Sequence, residues 1–188
     1  FLSTLDVYGA APLINEGSEL RPATLYGMSK LYCEKMLEVF CQQNDISWLT
    51  LRIGHVYGPG EEKYKKMLPL TISKILRDEN IELWGSGNEL RSFIYIDDVV
   101  SSILKSVELN ESVKLINVVG GLPISIKDLV DKLKYLSGSN VNIVTRDIDF
   151  SPIDLVFDNS LLKKHLLPIE KRIDDGLVLE INHMKALM

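Results

Sequence analysis

The stretch Tyr26-Gly27-Met28-Ser29-Lys30 places a tyrosine and a lysine four residues apart. Residues at i and i+4 lie on the same face of a helix, so the ammonium can sit beside the phenol. A nearby cation favours the ionised form of a phenol, whose ordinary pKa of about 10 is too high for a base at neutral pH. Such a pair can move a proton to or from a hydroxyl group. The spacing alone is weak support, because most such pairs are ordinary helix surface contacts.

Strands and helices alternate along the chain around this pair. Residues 1–9 start apolar and predict the end of a buried strand that enters a turn. After Pro22 a helix is predicted over residues 24–43, and residues 47–53 predict a second strand that breaks at Gly54. Further strands are predicted over 81–84, 91–95, 115–119 and 141–144, and further helices over 67–77, 97–107, 125–136, 159–166 and from 173 onward. Helix caps are predicted at Asp97 or Asp98, at Ser125 and at Asp158. The apolar side of the first helix comprises Leu25, Met28, Leu31, Met36, Leu37 and Phe40.

Three more sequence elements accompany the pair in a fixed order. Thr4 lies in Leu2-Ser-Thr-Leu-Asp-Val-Tyr-Gly9, and after the pair come Val56-Tyr-Gly-Pro-Gly60 and Arg91-Ser-Phe-Ile-Tyr-Ile-Asp-Asp-Val-Val100. Together they resemble the C-terminal part of an extended short-chain dehydrogenase/reductase, within the NAD-dependent epimerase/dehydratase family that acts on nucleotide sugars. The resemblance implies an α/β fold, in which part of a Rossmann-type doubly wound parallel sheet is joined to a small α+β substrate-binding lobe.

The resemblance also implies which parts of the chain form each lobe. Residues 1–60 and about 95–119 are expected to belong to the dinucleotide-binding sheet, and about 61–94 and 120–188 to the substrate lobe. Members of the family begin with a glycine-rich strand–turn–helix that holds the dinucleotide pyrophosphate, and no such sequence occurs here. We therefore expect a fragment that lacks the N-terminal βα units and binds NAD weakly on its own.

The family resemblance assigns roles to the catalytic residues. Thr4 matches the hydroxyl that hydrogen-bonds the reacting sugar oxygen, and Tyr26 matches the acid/base. Lys30 matches the lysine that lowers the tyrosine pKa and binds the nicotinamide ribose. Ile53, Gly54 and Val56 are expected beside the cofactor, which is NAD, with NADP not excluded. The structural alternatives are a strand-end cap for Thr4, a half-buried ring for Tyr26 and a surface side chain for Lys30.

The positions expected to bind substrate depart further from the family pattern. His55 stands where an asparagine usually faces the substrate phosphate, and it can still donate a hydrogen bond. Arg91 matches an arginine that binds the diphosphate, and Ser92 follows it where an aspartate is usual. Ser151 occupies the position of a second phosphate-binding arginine, for which Arg146 is a possible substitute. A substrate without a nucleotide diphosphate, or one bound differently, stays open.

The turn after Thr4 bears on the type of reaction. In the 4,6-dehydratases the sequence is Thr-Asp-Glu-Val-Tyr, whereas Leu5 and Asp6 stand at the two acidic positions here. Dehydration is therefore disfavoured, and an epimerase is preferred to a related keto-sugar reductase. Asp6 is either an acid or base of the site or a solvated turn residue.

A degenerate, non-catalytic relative that serves in binding or assembly is the alternative to an enzyme.

Composition restricts the partners. The net charge of −5 and the lack of a basic stripe argue against nucleic acid, and no apolar run approaches the length of a membrane span. Cys33 and Cys41 are expected to be buried or half-buried thiols in a reducing compartment, which predicts a cytoplasmic protein. No metal-binding cluster is recognised. Because the helix with Tyr26 forms the dimer bundle in the family, a homodimer is expected.

Overall fold

The chain folds as an alternation of strands and helices. The computed structural model describes residues 1–109, 113–147 and 153–188. In chain order the elements are β1 Leu2–Thr4, α1 Leu25–Gln43, β2 Thr50–Ile53, β3 His55–Tyr57, α2 Met67–Leu76, β4 Ile81–Trp84, β5 Leu90–Tyr95, α3 Ile96–Val107, β6 Leu115–Val118, β7 Pro123–Ser125, α4 Ile126–Ser137, β8 Ile143–Arg146, α5 Ser160–His165 and α6 Ile173–Ala186. The predicted α/β class is confirmed.

A parallel sheet in the order β1-β2-β6 positions the candidate site. Parallel strands need a long crossover connection, and α1 supplies it between β1 and β2. In the register of this sheet, Thr4 pairs with Ile53, and Ile53 pairs with Val118. The carboxyl ends of all three strands therefore meet at one edge, which is where open parallel sheets bind ligands.

The chain leaves this sheet at Gly54, as the sequence predicts. A Cβ at Gly54 would lie 2.8 Å from Leu5 Cδ1 and 2.9 Å from Val119 Cγ2, so any larger residue would force these buried side chains to shift. Directly after it, β3 pairs in parallel with β5, and β7 joins β5 antiparallel. A third pairing joins β4 to β8 in parallel. Strands β3 and β7 were not predicted, because three-residue strands are too short to show a sequence period.

Three groups of buried side chains hold these layers together. One lies between α2, α4 and α6 and includes Ile72, Leu133 and Leu177. A second fills the space between the β1-β2-β6 sheet and α3 and α5, and a third surrounds the turn after β1. The division into a dinucleotide-binding sheet and a substrate lobe stays a prediction.

The apolar side predicted for α1 is not the side that packs on the sheet. More than half of the surface is exposed for four of its predicted residues, Leu25, Met28, Met36 and Phe40. The buried side carries Gly27, Glu34 and Cys41 instead. Periodicity pointed to the wrong face because the contact with the sheet depends on a buried charged residue and a glycine. Cys33 is exposed, so the prediction that both thiols are buried was wrong for this residue.

Helix starts were predicted with mixed success. Ser125 caps α4, since its Oγ accepts from the Asp128 N–H at 2.9 Å. The cap predicted at Asp97 or Asp98 is wrong, because α3 already begins at Ile96. Asp98 is buried instead and accepts a hydrogen bond of 2.7 Å from the Lys171 backbone N–H.

Candidate active site

Thr4 ends β1 at the carboxyl edge of the parallel sheet. Its side chain is buried, and its Oγ1 accepts a hydrogen bond of 3.3 Å from the Asp6 N–H at the start of a single 3-10 turn. This contact is the strand-end cap considered as an alternative role. A hydroxyl that accepts one hydrogen bond still has its own hydrogen to donate. The cap therefore leaves Thr4 able to donate a hydrogen bond to a ligand at this edge.

The start of α1 is pressed against the turn that follows Thr4. Thr24 caps the helix, since its Oγ1 accepts from the Gly27 N–H at 3.0 Å. A Cβ at Gly27 would clash with the backbone carbonyl of Asp6. The missing side chain lets the helix backbone approach the turn, which brings its neighbour Tyr26 toward the end of β1. Sequence reasoning did not single out Gly27, although it lies inside the motif.

Replacing Gly27 with alanine should destabilise the protein by about 1–3 kcal/mol, because the added methyl group forces α1 away from the turn. In an unconstrained helix the same change would stabilise by up to about 1 kcal/mol. Urea denaturation measures the difference, with Ser29→Ala in the exposed turn of α1 as the control. A stabilised Gly27→Ala variant would show that the close approach is not required.

Tyr26 and Lys30 meet on one side of α1, as their spacing predicts. The Lys30 Nζ lies 5.9 Å from the centre of the Tyr26 ring and donates a hydrogen bond of 3.1 Å to the Leu2 carbonyl of β1. The same ammonium lies 5.4 Å from the Phe1 ring centre. Tyr26 is 53% exposed, so its hydroxyl is accessible to a ligand. Lys30 therefore links the Tyr26 ring to the start of β1.

A cleft of about 770 Å³ opens beside this group. It adjoins a second cleft of about 460 Å³, and four side chains line both: His55, Trp84, Glu89 and Arg91. Volumes of 300–1,000 Å³ are typical of small-molecule sites. Sequence reasoning assigned no role to Trp84, which is 59% exposed on β4, or to Glu89. For Trp84, the feature that indicates a binding role is an exposed tryptophan beside charged residues.

The predicted site residues divide between the clefts and the sheet edge. Asp6, His55 and Arg91 line the larger cleft, and Val56 lines the smaller. The linings, taken over the described residues, do not include Thr4, Tyr26, Lys30, Ile53 or Gly54. Leu5 and Thr24 line the larger cleft next to them in sequence. The catalytic and substrate-side predictions thus fall on adjoining surfaces.

His55 is an uncharged side chain of the cleft at neutral pH. Burial lowers its pKa below the usual value, and the positive charge of Arg91 lowers it further, against the opposing charge of Asp6. Its ring lies 5.9 Å from the Phe93 ring, its neighbour across the β3–β5 pair. A neutral imidazole can donate one hydrogen bond and accept another.

Arg91 is held by backbone oxygens on the wall of the cleft. Its Nη1 donates to the carbonyls of Leu90 and Ile153 at 2.8 and 2.6 Å. Within the described parts of the chain, Nε and Nη2 carry no hydrogen bond, so these N–H groups can bind an anion. Arg146, the possible substitute for a second arginine, is paired with Glu82 at 2.9 Å. Ser92 is fully buried, and Ser151 lies outside the described residues.

The described residues were predicted neither to cross a membrane nor to bind a metal. Among the helices of the described ranges, none is long and apolar enough to cross a bilayer. The same residues contain no group of three or more histidine, cysteine or acidic side chains placed to hold a metal ion.

Comparison with known proteins identifies the family. Residues 1–119 match the model of the NAD dependent epimerase/dehydratase family. The chain belongs to this family. The match covers the β1-β2-β6 sheet, α1 and the two predicted motifs that follow, so the resemblance inferred from the sequence is confirmed.

Individual family members align over part of their length. The chain is 30% identical over 132 residues to the dTDP-4-dehydro-6-deoxyglucose reductase of Escherichia coli, which covers 69% of this chain and 42% of that relative. It superposes with a TM-score of 0.89 on the UDP-N-acetylglucosamine 4-epimerase of Methanobrevibacter ruminantium M1 in complex with UDP-N-acetylmuramic acid, at 27% identity, covering 100% of this chain and 63% of that one. The UDP-glucuronic acid 4-epimerase of Bacillus cereus in complex with NAD gives 0.87 at 27% identity, with coverages of 99% and 60%. The chain thus spans less than half of the curated relative and under two thirds of the solved structures.

Proposed function

We propose that this chain carries the proton-transfer and substrate-binding part of an NAD(P)-dependent nucleotide-sugar epimerase, or of a related keto-sugar reductase. The supporting observation is that Tyr26 and Lys30 lie together on α1, which packs on β1 and on the turn that follows Thr4, and that this turn lines a cleft that contains Arg91. Proteins of the same family that act on nucleotide sugars share the fold over almost the whole chain.

In this proposal Tyr26 exchanges a proton with the reacting sugar hydroxyl. Its phenol is the exposed acid/base group beside the Lys30 ammonium, which lies 5.9 Å from the ring centre. Thr4 donates a hydrogen bond to the same sugar oxygen with the hydrogen left free by its cap to Asp6. Charge that develops on that oxygen is thereby stabilised by two oriented side chains.

The residues at this edge fit the nicotinamide riboside end of NAD. A lysine ammonium has three hydrogens, and the Leu2 carbonyl uses one of those on Lys30. Lys30 and Tyr26 would hold the ribose, and Ile53, Gly54 and Val56 would lie beside the nicotinamide. When bound, NAD accepts a hydride from a sugar carbon and returns it. NADP is an equal candidate on these residues.

The cleft offers groups that suit a nucleotide sugar. The N–H groups of Arg91 that have no hydrogen bond among the described residues would bind diphosphate oxygens, and His55 would donate a hydrogen bond nearby. The exposed ring of Trp84 provides a flat apolar surface for a base or a sugar face. Asp6 and Glu89 balance part of the positive charge in the same cleft.

Replacing Tyr26 with phenylalanine tests the proposal. In the complete protein, supplied with NAD and a panel of UDP- and dTDP-sugars, we expect turnover to fall at least about a hundredfold with KM little changed, because only the acid/base hydroxyl is removed. Tyr32→Phe, on an exposed site of the same helix, is the control. Equal turnover in the Tyr26→Phe variant would exclude this tyrosine as the acid/base. A wild-type protein that binds these sugars without turnover would support a binding role instead.

The exposed apolar side of α1 is consistent with a homodimer formed through this helix, which stays a prediction until sedimentation equilibrium determines the mass in solution. Its largest exposed members are Leu25, Tyr32 and Phe40.

A further inference from the structure

A buried ion pair joins α1 to the central strand of the parallel sheet. Arg52 of β2 and Glu34 of α1 are both almost completely buried. The Arg52 Nε donates to Glu34 Oε1 at 3.0 Å, and its Nη2 donates to Oε2 at 2.6 Å. Two parallel charge-assisted hydrogen bonds define both the distance and the relative orientation of the groups they join.

The ion pair is the centre of a larger polar network. The Ser3 Oγ also donates to Glu34 Oε1, and the Arg52 guanidinium lies 4.7 Å from the centre of the Tyr8 ring. The Tyr8 hydroxyl donates to Asn117 Oδ1 at 2.7 Å. Ser3, Arg52 and Asn117 pair in register on the three strands of the sheet. A continuous polar row thus crosses the sheet one residue before its carboxyl edge.

Glu34 lies on the same side of α1 as the candidate catalytic residues. Tyr26, Lys30 and Glu34 are spaced at i, i+4 and i+8, which places them along one face of the helix. A rotation of α1 about its axis would therefore move all three together. Close to Tyr26 the helix is held by the contact of Gly27 with the turn after β1 and by the hydrogen bond from Lys30 to the Leu2 carbonyl. Two turns further along α1, the two hydrogen bonds between Glu34 and Arg52 hold one face of the helix against the sheet.

We propose that Glu34 and Arg52 are positioning residues, which set the rotation of α1 so that Tyr26 and Lys30 face the end of β1. This inference rests on the proposed function for the role of Tyr26, but its test does not depend on turnover. An apolar pair of the same volume could supply comparable stability, yet it would allow the helix to slide and rotate. The ion pair supplies orientation.

The position of the Tyr26 ring can be followed directly with 3-fluorotyrosine incorporated at this residue of the complete protein. In Glu34→Gln we expect the 19F resonance of Tyr26 to shift or to split, because the fork to Arg52 is lost. In Glu38→Gln, which removes the charge of an exposed carboxylate on the same helix, the resonance should stay in place. A folded Glu34→Gln protein with an unchanged resonance would overturn the proposal.

A second variant keeps the test decisive if Glu34→Gln does not fold. The double change Glu34→Met with Arg52→Met removes the ion pair without leaving a buried charge, and we expect a folded protein whose Tyr26 resonance is shifted or broadened. An unchanged resonance in the double variant would also contradict the proposal. If the complete protein turns over a nucleotide sugar, kcat of the double variant should fall about ten- to a hundredfold with KM within about twofold, because only the geometry of the proton transfer changes. Failure of the proposed function would abolish the wild-type turnover and leave the 19F result unaffected.

Discussion

Replacing Arg52 with methionine is expected to lower the free energy of unfolding by about 3–5 kcal/mol, because Glu34 is then buried without a partner. Both side chains of the pair are less than 10% exposed, so water cannot replace the lost contact. Ser3 would still donate to the carboxylate, but one neutral hydroxyl does not balance its charge. Urea denaturation followed by circular dichroism gives the free energy directly.

The matching double variant, Arg52→Met with Glu34→Met, should recover most of that loss. Buried ion pairs are often replaced by apolar groups at little cost, since the desolvation of two charges offsets their attraction. Lys35→Met removes the exposed pair with Glu38 on the same helix and is the control, for which we expect no measurable change. A double variant as unstable as the single one would show that packing, and not the unpaired charge, causes the effect.

Replacing Glu180 with glutamine should remove a pH dependence of stability between about pH 4.5 and 7. Glu180 lies in α6 with no exposed surface, and neither carboxyl oxygen has a hydrogen-bond partner among the described residues. Burial, together with the negative charges of Glu61 and Glu62, raises its pKa from 4.5 to about 7. The folded protein therefore holds a proton that the unfolded chain releases.

The sign of the effect follows from that difference. A carboxyl whose pKa is raised on folding contributes full stability below its unfolded pKa and loses it as the pH rises through the folded value. Between about pH 4.5 and 7 the free energy of unfolding should fall by about 3 kcal/mol, because the pKa of Glu180 rises to about 7 on folding. Glu180→Gln should thus be more stable than the wild type at pH 8, and the advantage should shrink toward pH 5. Glu61 and Asp98, whose pKa values burial also raises, contribute in the same direction and remain in both proteins.

Thermal denaturation at pH 5 and pH 8 measures the difference between the two proteins. Asp175→Asn, an exposed carboxylate at the start of the same helix, controls for the removal of a charge from α6. Glu180→Met, which keeps the volume without a polar group, should show the same loss of pH dependence. An unchanged pH profile in Glu180→Gln would mean that this carboxyl is ionised in the folded protein.

The parts of the fold that follow from local sequence were predicted well. Ser125 caps a helix because its own side chain reaches a backbone N–H three residues on, and α1, α2 and α6 begin within one residue of their predicted starts. Short strands were missed or misplaced, since β3 and β7 form only where β5 supplies their partner. Aspartate is a common helix cap, but the Asp98 carboxylate instead accepts a hydrogen bond from the backbone of Lys171, which lies 73 residues away.

The candidate site shows the same division. The motif from Tyr26 to Lys30 predicted its own geometry, because four residues of a helix determine which side chains meet. The approach to β1 depends on Gly27 against Asp6, and the cleft depends on Trp84 beside His55 and Arg91. No spacing along the chain encodes these neighbours.

By itself the sequence determined the family, the α/β class and the proximity of Tyr26 and Lys30, because each is recorded in short runs of adjacent residues. Only the tertiary structure decided which face of α1 packs on the sheet. That face carries Glu34, whose ion-pair partner Arg52 lies 18 positions further along the chain, and a buried carboxylate without this partner would be strongly destabilising. Hydrophobic periodicity considers only apolar residues, so it cannot predict an ion pair between a helix and a strand.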